Sequence, residues 1–421
     1  MKFEDRLRKD IEEIRIIDTH EHILSEKDRL AHKTDLFYWF SHYASSDLVS
    51  AGMPSDTLSE IRDTEKPLEE RWNKFFPYWE CVRTTGYGKA LLVAARDLFG
   101  VSDINEKTYR ELSEKISAKN KQGYYKWVLK EKAGIDIAIH PERLDLFHTL
   151  ERDFFLPVLH LPISAVSILI SNPEDERIPN VENLYKKPLK TIESVVDLFE
   201  SLIDGAIKKG AVGLKCSEAY NRTLRFDDVG VEEAKSVFEK IRSRQPVNAK
   251  PLEDYLMHRV LEMLSGRDIP IQIHTGIQEG NGNWITNSRP THLTNLFLKY
   301  PKVKFDIFHA GYPYSSELAV LAKNFPNVYA DMCWMYVISP TASKRILHEW
   351  IDTIPNNKIF GFGGDYIFVE GAYAHSRFAR EIICQVLIEK WEKDYFTEEE
   401  CMMLARKMLR DNPANFFKIN N

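Results

Sequence analysis

Short apolar runs closed by polar or glycine residues recur along the chain, and most of the later ones are followed by a stretch whose apolar positions repeat at helical spacing. The runs are IIDTH from Ile16, GIDIAI (134–139), a segment within LHLPISAVSILI (159–170), AVGLKCS (211–217), IPIQIHT (269–275), KVKFDIFH (302–309), NVYADMC (327–333) and KIFGFGG (358–364). Their continuous apolar character predicts strands buried on both faces. The intervening LEDYLMHRVLEMLSG, THLTNLFLKY, ELAVLAKNF and SKRILHEWID are each about the length of one crossover helix, which makes the strands parallel. Eight parallel strands with intervening helices predict an α/β fold, the (β/α)8 TIM barrel. Residues 3–15 read as a short amphipathic helix that leads into the first strand.

The periodicity breaks after strand one. From 25 to 130, aromatic and charged residues at helical spacing, as in LEERWNKFFPYWECVRTTGYGKALLVAARDLFG, predict a mainly helical insertion. Helical patterns over 376–392 and 397–410 predict C-terminal helices, and DNPANFFKI closes the chain against the barrel. The polar, proline-containing SNPEDERIPN (171–180) reads as a lid-like surface loop. The length of 421 residues would fit two or three domains, but a single barrel domain over 1–421 that carries the insertion accounts for every element.

Composition narrows the function classes. The chain is 43% hydrophobic and 29% charged, ordinary for a globular protein with a buried core. Its net charge is −6 and no dense Lys/Arg stripe is interleaved with aromatics, so nucleic-acid binding is not expected. No apolar stretch approaches the roughly 20 residues of a membrane span, and the N-terminus offers no signal-peptide core, so no membrane partner and a cytoplasmic location are expected. Five scattered cysteines without C-x-x-C indicate neither a disulfide framework nor a Cys-type zinc knuckle, and most are expected as buried small hydrophobes.

Six residues of metal-binding type sit at the C-terminal ends of the predicted strands: His20 and His22 in DTHEH, Lys215, His274, His309 and Asp365. On a barrel they share one rim. Strand alternation turns His20 and His22 to one side, the arrangement two imidazoles need to hold one ion, with Asp18 one step deeper as an acceptor that orients them. His274 and His309 each leave a strand in H-[TA]-G, a repetition an ordinary core has no reason to make. Asp365 follows Gly363–Gly364 and suits the role of base for a metal-activated water. Lys215 is open to three readings: carboxylated on Nζ as an oxygen ligand bridging two ions, holding an anionic substrate, or ion-paired on the rim.

The order His-x-His at strand one, Lys at strand four, His at strands five and six and Asp at strand eight resembles the amidohydrolase superfamily, over residues 16 to 365. FHAGYPY, FPNVYADMCW, FGFGGDY and NPANFFKI are similar to stretches of its amidohydrolase-related branch; uronate isomerase is a superfamily neighbour. The resemblance implies His20, His22 and Asp365 on a first ion, with His274 joining it in one-metal members. In two-metal members it implies a bridging Lys215 with His274 and His309 on the second ion. With one ion, His309 would instead polarise the scissile group. The expected cofactor is one or two divalent ions, zinc before manganese.

Together these readings predict a metal-dependent hydrolase cleaving a C–N or C–O bond of a small, carboxylated substrate, with Asp365 and His309 as catalytic residues. The alternative is a metal-dependent isomerase or nonoxidative decarboxylase acting on a sugar acid or an aromatic acid; a non-catalytic barrel would have no need of the whole rim set. Rim loops supply substrate-binding candidates: Arg222 as first choice of anchor for a carboxylate, Tyr220, Gln278, Tyr312 and Trp334, with Arg83 of the insertion as a cap. The aromatic stripe Phe75, Phe76, Tyr78, Trp79 predicts core packing, or an interface in a homo-oligomer.

Overall fold

The structure, a computed structural model, describes residues 2–171 and 189–419. Residues 172–180, nearly all of the expected lid-like loop, lie outside the described residues. Eight strands, β1 (Ile16–Asp18), β2 (Ile135–Glu142), β3 (Phe155–His160), β4 (Gly213–Cys216), β5 (Ile271–Ile273), β6 (Phe305–Ile307), β7 (Val328–Asp331) and β8 (Ile359–Phe360), pair in chain order, every pair parallel. Backbone bonds from Thr19 N–H to the Phe362 carbonyl (3.1 Å) and from Asp365 N–H to the His20 carbonyl (2.8 Å) join the two end strands just past their C-termini. This is the (β/α)8 barrel.

Strand three departs from its expected place. It is formed by FLPVLH (155–160), and the apolar run that follows is the helix Ala165–Ser171, which buries Val166, Leu169 and Ile170. That i, i+3, i+4 spacing is the signature of one helix face against the barrel rather than of a strand.

At the N-terminal end of the barrel, Phe416 and Phe417 of the last helix pack with Ile139, Val158 and Phe360 and close it. Nearer the mouth the interior is polar. Asp18, Gln272, Asp306 and Asp331 are each fully buried, and the Gln272 amide donates to Asp306 (3.1 Å) and to the Thr19 carbonyl (2.9 Å). Burial pushes the Asp18 and Asp331 carboxyls up to about 7.

Between β1 and β2 the chain forms the helices Glu26–Leu30, Tyr43–Ser50, Ser55–Arg62, Leu68–Val82, Gly86–Phe99 and Tyr109–Lys119. Phe75 and Trp79 of the aromatic stripe are buried, and Phe76 and Tyr78 lie half-buried on the same core. A fork-on-fork ion pair between Arg29 and Glu370 (2.8 and 2.6 Å) ties the first of these helices to the helix Val369–Trp391 that follows β8. No described helix is long and apolar enough to cross a membrane.

Candidate metal centre

All six rim residues gather at the C-terminal mouth, and the tautomers of His274 and His309 can be read from fixed partners. His309 Nδ1 lies 3.2 Å from the Cys333 carbonyl and His274 Nε2 lies 2.9 Å from the Ile277 carbonyl. A carbonyl only accepts, so each of these nitrogens carries its ring's proton and donates. The remaining nitrogens, His309 Nε2 and His274 Nδ1, then hold lone pairs and face each other at 3.0 Å. His20 Nε2 and His22 Nε2 face each other likewise at 3.1 Å.

Two lone pairs at that distance repel unless a cation lies between them. Protonation is opposed, because burial and the charge of Lys215 hold His20 far below its ordinary range and bring His274 down to about 3. With zinc–nitrogen bonds of about 2.0–2.1 Å, two imidazoles meeting one ion near a right angle stand about 3.0 Å apart. The facing nitrogens of His274 and His309 therefore fit a divalent ion better than any proton arrangement, and the spacing of His20 and His22 suits the same ligation.

Asp365 lies between the pairs. Its Oδ1 is 3.6 Å from His20 Nε2 and 3.3 Å from His22 Nε2, while its Oδ2 is 3.7 Å from His309 Nε2. Burial brings its carboxyl up to about 7, against the lowering effect of Lys215 and of a hydrogen bond from the Tyr43 hydroxyl. His20, His22 and Asp365 form one group whose ligand atoms lie within 4.8 Å of one another; His309, Cys333 and Asp365 form a second.

The DTHEH segment holds this carboxylate in place. Asp18 Oδ1 accepts from the backbone N–H of His20 (3.0 Å) and of Gly364 (3.0 Å), so it clamps main chain rather than an imidazole, and His20 Nδ1 has no partner among the described residues. Glu21 Oε2 accepts from Tyr366 N–H (2.7 Å) and the Glu21 carboxylate lies where a Cβ on residue 364 would stand, which requires the glycine there. His375 donates from Nδ1 to the Gly364 carbonyl (3.0 Å). Asp365 is thereby held at φ +59°, and His309 (+59°), Ala310 (+51°) and Trp334 (+65°) share its left-handed backbone. Each such residue costs on the order of 1–3 kcal/mol and persists only where its surroundings enforce it.

Lys215 is buried with its Nζ unpartnered among the described residues, 3.5 Å from the Phe308 ring centroid, and burial lowers its ammonium to about 8. It is not the rim ion pair that was one of its three readings.

The substrate candidates divide. Trp334 is buried at the mouth, edge-on to His309 (5.2 Å) and stacked on Tyr43 (4.2 Å). Tyr220 lies against His274 (4.7 Å between rings) and accepts from Glu279 N–H at 3.0 Å; Gln278 is buried with its amide on the Ala219 carbonyl and its Oε1 without a partner among the described residues. Tyr312 follows His309 and is half-buried.

Arg222 departs from the expected role of anchor. Its guanidinium is bound to Glu253 (3.2 Å) and Asp254 and to the Thr223 and Arg225 carbonyls, with a side chain only 10% exposed. Two carboxylates already saturate the charge a substrate would need. Arg83 is spent on Glu80 (2.8 Å) and Asp103 in the same way. The insertion reaches the mouth instead through Tyr43, whose ring also stacks with Tyr87 (5.3 Å), and through Ser46, whose carbonyl accepts from Asn281 (3.0 Å) of the loop after β5. Nothing in the insertion's sequence singles out Tyr43, although Glu21 stands between the two histidines and was legible as a member of that motif.

The Amidohydrolase family model matches residues 232–419. Protein fluG of Emericella nidulans is 29% identical over 243 residues, which are 54% of this chain and only 28% of that longer protein. Uronate isomerase of Nostoc punctiforme is 21% identical over 427 residues, covering 93% of this chain and 89% of that one. The crystal structure of a uronate isomerase from Thermotoga maritima superposes with a TM-score of 0.80 over 99% of this chain and 97% of that chain at 16% identity, which is a likeness of fold. The part of the sequence that matches the family model supplies His274, His309 and Asp365 to a barrel whose first strand supplies the paired histidines, and over that part the chain is similar to amidohydrolases.

Proposed function

We propose that the protein is a metal-dependent hydrolase that cleaves a C–N or C–O bond at a carbonyl carbon of a small polar substrate in the cytoplasm. The observation that carries this reading is the convergence of two pairs of facing imidazole nitrogens on the buried Asp365. His20, His22 and Asp365 would hold one divalent ion and His274 and His309 a second, zinc before manganese for an imidazole and carboxylate set. Such an ion supplies Lewis acidity, which polarises a carbonyl and brings the pKa of water towards about 7.

The chain's own groups do the rest. Asp365, buried between the two imidazole pairs, accepts a proton and returns it to the leaving nitrogen or oxygen. The Tyr43 hydroxyl orients that carboxylate, and the Tyr43–Trp334 stack walls off water on the insertion side. His309 Nε2 faces the same space as a lone-pair nitrogen; where a single ion is bound it is free to assist proton transfer instead of serving as a ligand. With Arg222 and Arg83 committed elsewhere, Lys215, whose Nζ has no partner among the described residues, is the rim cation placed to meet a substrate carboxylate.

A sugar-acid isomerase is the second reading, favoured by the likeness to uronate isomerase along nearly the whole chain. The two separate by mass. Metal-loaded protein in 18O-labelled water, given a panel of amides and lactones, is expected to release two fragments, one carrying the label. Conversion of a uronate to a product of unchanged mass, with no amide or lactone turned over, would overturn the hydrolase reading in favour of the isomerase.

A further inference from the structure

We propose that Cys333 is a metal ligand, a thiolate completing a second ion position that shares Asp365 with the first. The inference rests on the reading of the mouth as a metal centre. Cys333 is fully buried at the end of β7, is in no disulfide, and its Sγ belongs with His309 and Asp365 to a group whose ligand atoms lie within 4.8 Å of one another. The same residue sets the tautomer of its neighbour: its carbonyl takes the Nδ1 proton of His309, which leaves Nε2 as the free donor. A ligating histidine commonly donates its other ring N–H to a backbone carbonyl in this way.

The residue is pinned from both sides. Its backbone N–H donates to Asp331 Oδ1 (2.8 Å), and the N–H of Trp334 donates to the Gly363 carbonyl (2.8 Å). A Cβ at position 363 would stand 2.7 Å from the sulfur, so the glycine before Gly364 leaves the thiol its space. The two oxygens of Asp365 point to opposite groups, Oδ1 to His20 and His22 and Oδ2 to His309, as a carboxylate shared by two ions requires.

Lys215 offers no comparable donor. An unmodified ammonium repels a cation, whereas a thiol gives up its proton to a metal and becomes a soft, strongly held ligand. Binding forms one metal–sulfur bond and releases one proton to solvent, with no change of oxidation state. The second position then needs no carbon dioxide adduct on Lys215.

Cobalt(II) replacement reads the bond directly. Cobalt-loaded wild-type protein should show a thiolate-to-cobalt charge-transfer band in the near ultraviolet, lost in both C333S and C333A and kept in C216S, with metal content falling from two ions per chain to one in the Cys333 variants. X-ray absorption of the zinc-loaded wild type should show a sulfur neighbour at about 2.3 Å, which decides the matter if neither variant folds. Cobalt bound with ligand-field bands and no thiolate band, a band that survives both Cys333 variants, or a zinc shell without sulfur overturns the assignment and leaves the metal-dependent reading standing. Failure to retain any cobalt overturns both.

Discussion

The Arg29–Glu370 pair makes a sharp test because the two partners respond differently to losing each other. Both side chains are at most 1% exposed, the two bonds are 2.8 and 2.6 Å, Tyr124 donates to the carboxylate (3.0 Å), Asn120 accepts from the guanidinium (3.1 Å), and the rings of Tyr38 and Tyr124 each lie 4.9 Å from it. Removing one member of such a pair leaves an uncompensated buried charge, which costs about 3–5 kcal/mol. With an unfolding entropy of about 2.1 cal/mol/K per residue, 421 residues give about 0.9 kcal/mol/K, so Tm should fall by about 3–6 °C.

The direction with pH separates the variants. In the wild type, burial would raise the Glu370 carboxyl, but the Arg29 charge and its hydrogen bonds outweigh that and hold it below its ordinary value. A carboxyl depressed in the folded state stabilises above its unfolded pKa of about 4.5, and that contribution is lost as pH falls through the lower folded value. In R29M the same carboxyl is buried without its cation, its folded pKa rises above the unfolded one, and the penalty shrinks as pH falls. In E370Q the guanidinium cannot discharge, so its penalty stays flat with pH. Thermal melts from pH 7.5 to 5 should therefore show R29M recovering towards wild type and E370Q not recovering. The apolar double variant R29M/E370L should be more stable than E370Q. Melts of E370Q within about 1 °C of wild type, or parallel pH profiles for the two single variants, would refute the reasoning.

Asp365→Asn should keep the histidine-bound metal while lowering kcat by about 10²–10⁴, as expected for a lost general base; unchanged turnover in a metal-replete variant counts against that role. Arg222→Ala should lower Tm through the stranded Glu253 and Asp254 while leaving KM where it was, whereas a KM raised about tenfold would return Arg222 to the substrate. Gly364→Ala drives a methyl group into the Glu21 carboxylate and should cut both metal content and turnover; wild-type metal content would show that the Glu21 clamp yields easily.

The barrel was legible because strands buried on both faces read as continuous apolar runs, and the metal candidates because each stands where such a run stops. What stayed hidden depends on distance along the chain. The acids that occupy Arg222 lie 31 and 32 residues downstream, so no local charge pattern points to them and the guanidinium reads as free for a substrate. Strand three was displaced because the helix Ala165–Ser171 is as apolar as a strand, and a short apolar segment carries too few periods to tell 3.6 from 2. Tyr43 sits among many aromatics of the insertion, and only the folded chain brings its hydroxyl to a carboxylate 322 residues away.

The same geometry explains why the carboxylate is on the last strand while its supports are on the first. In a closed barrel β8 and β1 are neighbours, so Asp18 and Glu21 reach across one seam to the backbone of Gly364 and Tyr366. Those bonds fix a residue whose φ of +59° would otherwise relax, and they use carboxylates whose own burial favours accepting main-chain N–H groups over standing free. DTHEH therefore does two jobs. His20 and His22 face Asp365 at 3.6 and 3.3 Å, while Asp18 and Glu21 clamp the backbone on either side of that carboxylate. Exchanging Glu21 for Ala would test the second job, because it removes the acceptor of the Tyr366 N–H and leaves both histidines in place; unchanged metal content and turnover would count against the clamp.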